Sequence, residues 1–122
     1  MNNFRNKSLE ERKKFVDSIL QKHKGCLPIL IEKANNGNSI IFRKKEDGNK
    51  QFYKFIVPED MTVAQLLYTL RTRIKLAPSE AIFIFFKENL ISSNTLLKEV
   101  YNLYKEEDGI LYANYSNENT FG

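Results

Sequence analysis

The chain has 122 residues, 42% hydrophobic and 12% aromatic. That suits one globular domain with a single core and excludes disordered and collagen-like chains. Its 19 Lys and Arg against 15 Asp and Glu give a net charge of +4 and a pI of about 9.1, a mild bias toward acidic partners. The single cysteine, Cys26, excludes an intrachain disulfide and a Cys-rich zinc site and fits a reducing compartment. No signal-like apolar region and no run near 18 apolar residues is present, and Asn2 excludes N-myristoylation.

In chain order, Ser8-Leu9-Glu10-Glu11 matches a capping box, in which serine and glutamate oxygens satisfy orphan amides at a helix start. Phe15, Val16, Ile19 and Leu20 follow at helical spacing, and Gly25 can end the helix in a left-handed conformation. LPILIEKA, 27–34, reads as a strand whose leading proline needs no amide partner. Asn35-Asn36-Gly37-Asn38 turns the chain. SIIFR, 39–43, fits a short strand, and KKEDGNK, 44–50, a charged segment with a turn at Asp47-Gly48. QFYKFIV, 51–57, is an alternating aromatic strand stopped by Pro58.

Thr62-Val63-Ala64-Gln65 is a second capping box, opening a helix to about Lys75 whose Leu66, Leu67, Leu70 and Ile74 form the buried stripe; Pro78 closes that passage. AIFIFF, 81–86, is apolar at every position, which predicts a central or doubly covered strand. Asn94 or Thr95 can cap a third helix over 96–105, with Leu96, Leu97, Val100, Tyr101 and Tyr104 at helical spacing. After EEDG, ILYANY at 110–115 makes the last strand. A first hairpin, a crossover helix and later strands predict an α+β sheet with helices on one face, the β-grasp arrangement, with the N-terminal helix added to it.

Little in the chain points to catalysis. His23 and Cys26 have the spacing of a thiol and its base, but the one histidine sits at a helix end with no acid to orient it. Glu106, Glu107 and Asp108 lack metal or acid–base partners in sequence and read as a solvated helix end. Phosphate-loop, dinucleotide, zinc-protease and calcium-loop patterns are absent. Arg71, Arg73 and Lys75 with Phe52, Tyr53 and Phe55 could form a sheet-based RNA binder, but core packing accounts for some of these aromatics and no RNP-like motif occurs. The expectation is a chain that is not an enzyme, has no cofactor or metal site and binds no nucleic acid.

Four segments carry a resemblance: LPILIEKA (27–34), KFIVPEDMTVAQLLYTLRTRI (54–74), AIFIFFKENLI (81–91) and EEDGILYANYSNENTFG (106–122). Through them the chain resembles the Atg8 family of autophagy ubiquitin-like modifiers, with its LC3 and GABARAP branches. The resemblance implies a ubiquitin-like β-grasp fold: a helical extension over 1–25, the core over 26–116 and a flexible conjugation tail over 117–122. It further implies that an Atg7-like E1 adenylates the carboxylate of Gly122, which then passes through thioesters to an Atg3-like E2 and on to the amine of phosphatidylethanolamine. An Atg4-like cysteine protease would trim residues beyond the glycine and cut the lipid amide; here the glycine is last, either as encoded or after trimming. Two acyl chains give stable anchoring where one gives marginal binding. The implied location is the cytoplasm, and the autophagosomal membrane once lipidated.

The resemblance also implies docking of LIR motifs, an aromatic residue and an aliphatic one three positions on, in receptors and adaptors, by strand addition along 51–57. The implied aromatic pocket comprises Ile19, Pro28, Leu30, Lys54, Ile56 and Ile110; the aliphatic pocket comprises Phe55, Val57, Pro58, Met61, Leu66 and Leu70. Lys54 and Arg73 stand at basic positions that meet acidic residues around the motif. Periodicity alone assigns Leu30, Ile56, Leu66 and Leu70 to the core. Phe15, Cys26 and Thr69 depart from the family pattern, and the segment 36–50 is longer than usual. The alternatives are an Atg12-like modifier joined to a protein lysine, and an adaptor that is never conjugated.

Overall fold

The structure, a computed structural model, describes residues 4, 6–34, 52–76 and 79–117. They form α1 (Leu9–Lys22), β1 (Cys26–Lys33), β2 (Phe52–Pro58), α2 (Val63–Ile74), β3 (Phe83–Phe85), α3 (Leu97–Tyr104) and β4 (Leu111–Ser116). The expected strand at 39–43, the charged segment 44–50, Pro78 and the tail from 118 to Gly122 lie outside the described residues.

Both capping boxes form. Glu11 N donates to Ser8 Oγ at 3.2 Å and Ser8 N to Glu11 Oε1 at 3.1 Å; Thr62 and Gln65 repeat the exchange at 3.2 and 2.9 Å. Each box satisfies two of the amides that a helix start leaves without intrahelical partners. The apolar stripe of α1 is narrower than its sequence suggests. Val16 and Ile19 are buried, while Phe15 and Leu20 remain 39% exposed.

The sheet order is β2-β1-β4-β3. β1 pairs antiparallel with β2, placing Leu30 opposite Lys54 and Pro28 opposite Ile56, and parallel with β4. Along β1 the side chains alternate between two clusters. Leu27, Ile29 and Ile31 join Tyr53, Phe55, Val57, Leu111 and Ala113 beneath α2 and α3. Leu30 joins Val16, Ile110, Tyr112 and Phe4 on the α1 side. Helices therefore cover both faces, where the order of elements suggested one. The run 27–31 is buried at every position, which a sheet with one wet face does not allow.

One expectation is narrowed and two are corrected. The apolar run 81–86 yields only a three-residue edge strand, β3, although Phe85 and Phe86 are both buried. Its continuous hydrophobicity reflects coverage on both faces rather than a central place in the sheet. The N-cap of α3 is Leu96, without a side-chain cap; the carbonyls of Met61 and Glu59 instead accept from the amides of Leu97 and Lys98 at 2.7 and 2.9 Å. Tertiary contact thus does the work expected of Asn94 or Thr95. β2 also runs through Pro58, tolerated at a strand end on the sheet edge, opposite Cys26.

Asp108, expected in a solvated helix end, is 3% exposed. Its Oδ2 accepts from Arg12 Nε at 3.0 Å and from the Tyr112 hydroxyl, and its Oδ1 accepts from Ile110 N at 2.9 Å. Gly109 follows at φ +87°, and a Cβ there would stand 2.9 Å from Val16 Cγ1, so the close approach of α1 requires glycine. Tyr101 donates its hydroxyl to Gly109 O at 2.7 Å. One carboxylate therefore joins α1 to the start of β4, and the turn beside it joins α3.

Asp108→Ala leaves the Tyr112 hydroxyl and the Ile110 amide without this acceptor, and we expect a loss of about 2–4 kcal/mol in urea denaturation. Arg12→Ala, at a side chain 22% exposed, should cost less than half as much. Burial, and then the Asp108 carboxylate, raise the Tyr101 phenol above its ordinary 10.0. The folded state therefore holds this proton more tightly than the unfolded chain does. The resulting stabilisation is present below about pH 10 and is lost as pH rises through the folded value. Urea midpoints across pH 9–12 should fall less steeply for Tyr101→Phe than for the parent protein.

Candidate peptide-docking edge

Among the described residues β2 lies at the end of the sheet order, with β1 on its inner side. From Tyr53 to Pro58 its residues alternate between buried and exposed, because one set faces the helical core and the other faces the margin of α1. Tyr53, Phe55 and Val57 point into the core; Lys54, Ile56 and Pro58 point the other way. A strand laid along the outer edge of β2 would also alternate its side chains, sending some to each side of the sheet.

On the α1 side, an apolar cavity of about 240 Å³ is lined by Ile19, Pro28, Leu30, Lys54, Ile56 and Ile110, joined by Phe4, Phe15 and Phe55. The first six are the residues that the resemblance groups as an aromatic pocket. α1 contributes Ile19 and Phe15, β1 contributes Pro28 and Leu30, β2 contributes Lys54 and Ile56, and the turn after Asp108 brings in Ile110. An apolar cavity of about 150 Å³ accommodates benzene, so this one has room for an aromatic side chain. At its rim, Lys54 Nζ lies 5.2 Å from the centroid of Phe4 and 5.6 Å from that of Phe15, within cation–π range.

On the other side, Phe55, Val57, Leu66 and Leu70 belong to the main core. Leu66 and Leu70 are 0% exposed. Met61 is half-buried and Pro58 exposed. Four of the six residues assigned to an aliphatic pocket are therefore buried in the core here. Arg73 covers the same side, its guanidinium 5.3 Å from the ring centroids of both Tyr53 and Phe55. Thr69 donates its hydroxyl to Gln65 O within α2 at 2.9 Å.

Both cations on this surface are thus held over aromatic faces, Lys54 over Phe4 and Phe15 and Arg73 over Tyr53 and Phe55. Of the aromatics considered for RNA, Tyr53 and Phe55 are buried and Phe52 is half-buried, and Arg71 donates to Glu80 O at 2.8 Å. Cys26 meets His23 through the backbone, its amide donating to His23 O at 3.1 Å. Among the described residues no cluster of three or more His, Cys, Asp or Glu could hold a metal, and no helix is long and apolar enough to cross a membrane. Gly122 lies outside the described residues. Sequence reasoning missed Phe4, an isolated aromatic in a polar stretch without periodicity, and the role of Asp108, which depends on partners 96 and four residues away.

Comparison with known proteins agrees with this architecture. The family model for "Autophagy protein Atg8 ubiquitin like" matches residues 11–122. Autophagy-related protein 8 of Mycosarcoma maydis is 44% identical over 115 residues, covering 94% of this chain and 91% of the relative. The protein of the same name from Neurospora crassa is 42% identical over 113 residues, covering 93% and 87%. The crystal structure of Trypanosoma brucei ATG8 superposes with a TM-score of 0.78 at 34% identity, covering 95% of this chain and 93% of that one. With this match over nearly its whole length, the chain belongs to the Atg8 family of ubiquitin-like autophagy proteins.

Proposed function

We propose that this protein is a ubiquitin-like modifier joined through Gly122 to phosphatidylethanolamine, which displays the β2 edge on autophagic membranes to LIR-bearing receptors and adaptors. The carrying observation is the combination at β2: a sheet edge, an apolar cavity sized for a ring, and the two ring-held cations Lys54 and Arg73. Main-chain hydrogen bonds to the edge would set the register of the motif. The cavity would take its aromatic residue, and the cations would meet acidic residues around it. Membership of the Atg8 family supports the lipid end of this reading.

In the conjugation sequence the protein supplies the electrophile and the partners supply the catalysis. The Gly122 carboxylate attacks ATP to give an acyl adenylate and pyrophosphate on an Atg7-like E1. A cysteine thiolate displaces AMP to form a thioester, which exchanges onto an Atg3-like E2. The phosphatidylethanolamine amine then forms the amide and releases the E2 thiol. An Atg4-like protease would cleave that amide with water. Glycine suits the terminal position because it passes a narrow channel without a side chain. Residues 1–25, 26–116 and 117–122 would act as extension, core and conjugation arm, moving between the cytoplasm and the autophagosomal membrane.

Incubation with cognate E1-like and E2-like enzymes, ATP and phosphatidylethanolamine vesicles should shift the protein to a lipidated form, and Gly122→Ala should abolish the shift. An unshifted protein beside a shifted family control contradicts the proposal. A Gly122 amide on a protein lysine, found by mass spectrometry, points instead to the Atg12-like role. Lys54→Glu should weaken binding of an acidic LIR peptide about tenfold at low salt and flatten its salt dependence, as titration calorimetry at two ionic strengths would show.

A further inference from the structure

Phe4 is 3% exposed although it stands fourth in the sequence, where chains commonly fray unless tied down. Its ring packs with Val16, Leu30 and Ile110. It meets Phe15 edge-on, with centroids 5.3 Å apart at 61°, and lies 5.2 Å from Lys54 Nζ. Leu30, Ile110, Phe15 and Lys54 also line the cavity beside β2. The side chains that would receive the aromatic residue of a docked peptide therefore already hold a ring of this chain.

The backbone around Phe4 is tethered. Lys7 N donates to Phe4 O at 3.1 Å, and Arg12 Nη1 donates to Lys7 O at 2.8 Å. Arg12 is also bound through Nε to Asp108. The buried clasp thus holds the base of the N-terminal segment against α1 and keeps the Phe4 ring at high local concentration near the pocket.

Building on the docking reading above, we infer that Phe4 is a built-in competitor for the aromatic pocket, and that a peptide seats its ring fully only when Phe4 withdraws. The open volume beside Phe4 allows a first contact, so the competition concerns the inner surface formed by Leu30 and Ile110. The Phe4 ring makes the apolar contact of a ligand without a strand paired to β2. A peptide offering edge pairing, acidic residues and a ring together displaces it, while one offering only a ring gains little. Apparent affinity is the intrinsic affinity reduced by the fraction of molecules with Phe4 withdrawn. The device raises specificity at the expense of affinity.

The test uses the full chain and a synthetic acidic peptide with Trp at the aromatic position and Leu three residues on. Phe4→Ala should tighten binding by about three- to thirtyfold, mainly through faster association in stopped-flow, since burial of one ring is set against the ordering of a short segment. Weaker binding would make Phe4 a fixed wall of the pocket, and unchanged binding would make it a bystander; either overturns the inference. A second measurement needs no substitution. Hydrogen exchange at the Lys7 amide of the parent protein should accelerate when the peptide binds, and protection or no change contradicts displacement. If neither protein binds saturating peptide, the docking reading fails and the inference with it. Binding by the parent with the wrong response to Phe4→Ala removes the inference alone.

Discussion

The structure depends on β1 being buried on both faces. Because Leu27, Ile29 and Ile31 face one helical layer while Leu30 faces another, β1 must be flanked by strands and covered by helices on each side. β4 takes one flank and β2 the other. α2 and α3 cover the first face, and α1 is drawn onto the second by Val16 and by the Arg12–Asp108 contact. The cavity beside β2 follows from this arrangement. α1 closes against β1 and the turn at Ile110, but leaves a gap where β2 reaches the margin of the sheet.

Two kinds of polar contact divide the labour on that side of the molecule. The buried carboxylate of Asp108 accepts from several donors within one site, and its loss would remove an acceptor from each of them, so it serves position rather than recognition. Lys54 and Arg73 lie at the surface over aromatic rings. That contact orients a cation at small cost and leaves its charge available. An acidic ligand therefore meets oriented charge without disturbing the clasp that holds the pocket together.

Elements governed by local chemistry were legible in the sequence. The two capping boxes, the α2 stripe and the alternation of β2 follow from hydrogen-bonding and periodicity within a few residues. Features set by distant partners were not. The start of α3 relies on carbonyls of Glu59 and Met61, the edge place of β3 depends on the order of the whole sheet, and the burial of Asp108 depends on Arg12. At the candidate site, Lys54 stood out because it interrupts an aromatic strand. The grouping of Ile19, Pro28, Leu30, Ile56 and Ile110 came from family resemblance, since periodicity assigns such residues to the core. Phe4 carried no sequence signal, because its meaning arises only when the N-terminal segment folds back along α1.

Mapping amide chemical shifts of the full chain during titration with an acidic peptide carrying an aromatic residue and an aliphatic one three positions on tests the central claim most directly. The account predicts that the largest changes fall on β2, on Ile29 and Leu30 in β1 and on the α1 residues around Ile19, with new slow exchange along the outer edge of β2. Changes centred instead on the groove between α2 and β3, around Leu67, Tyr68 and Leu90, would contradict it.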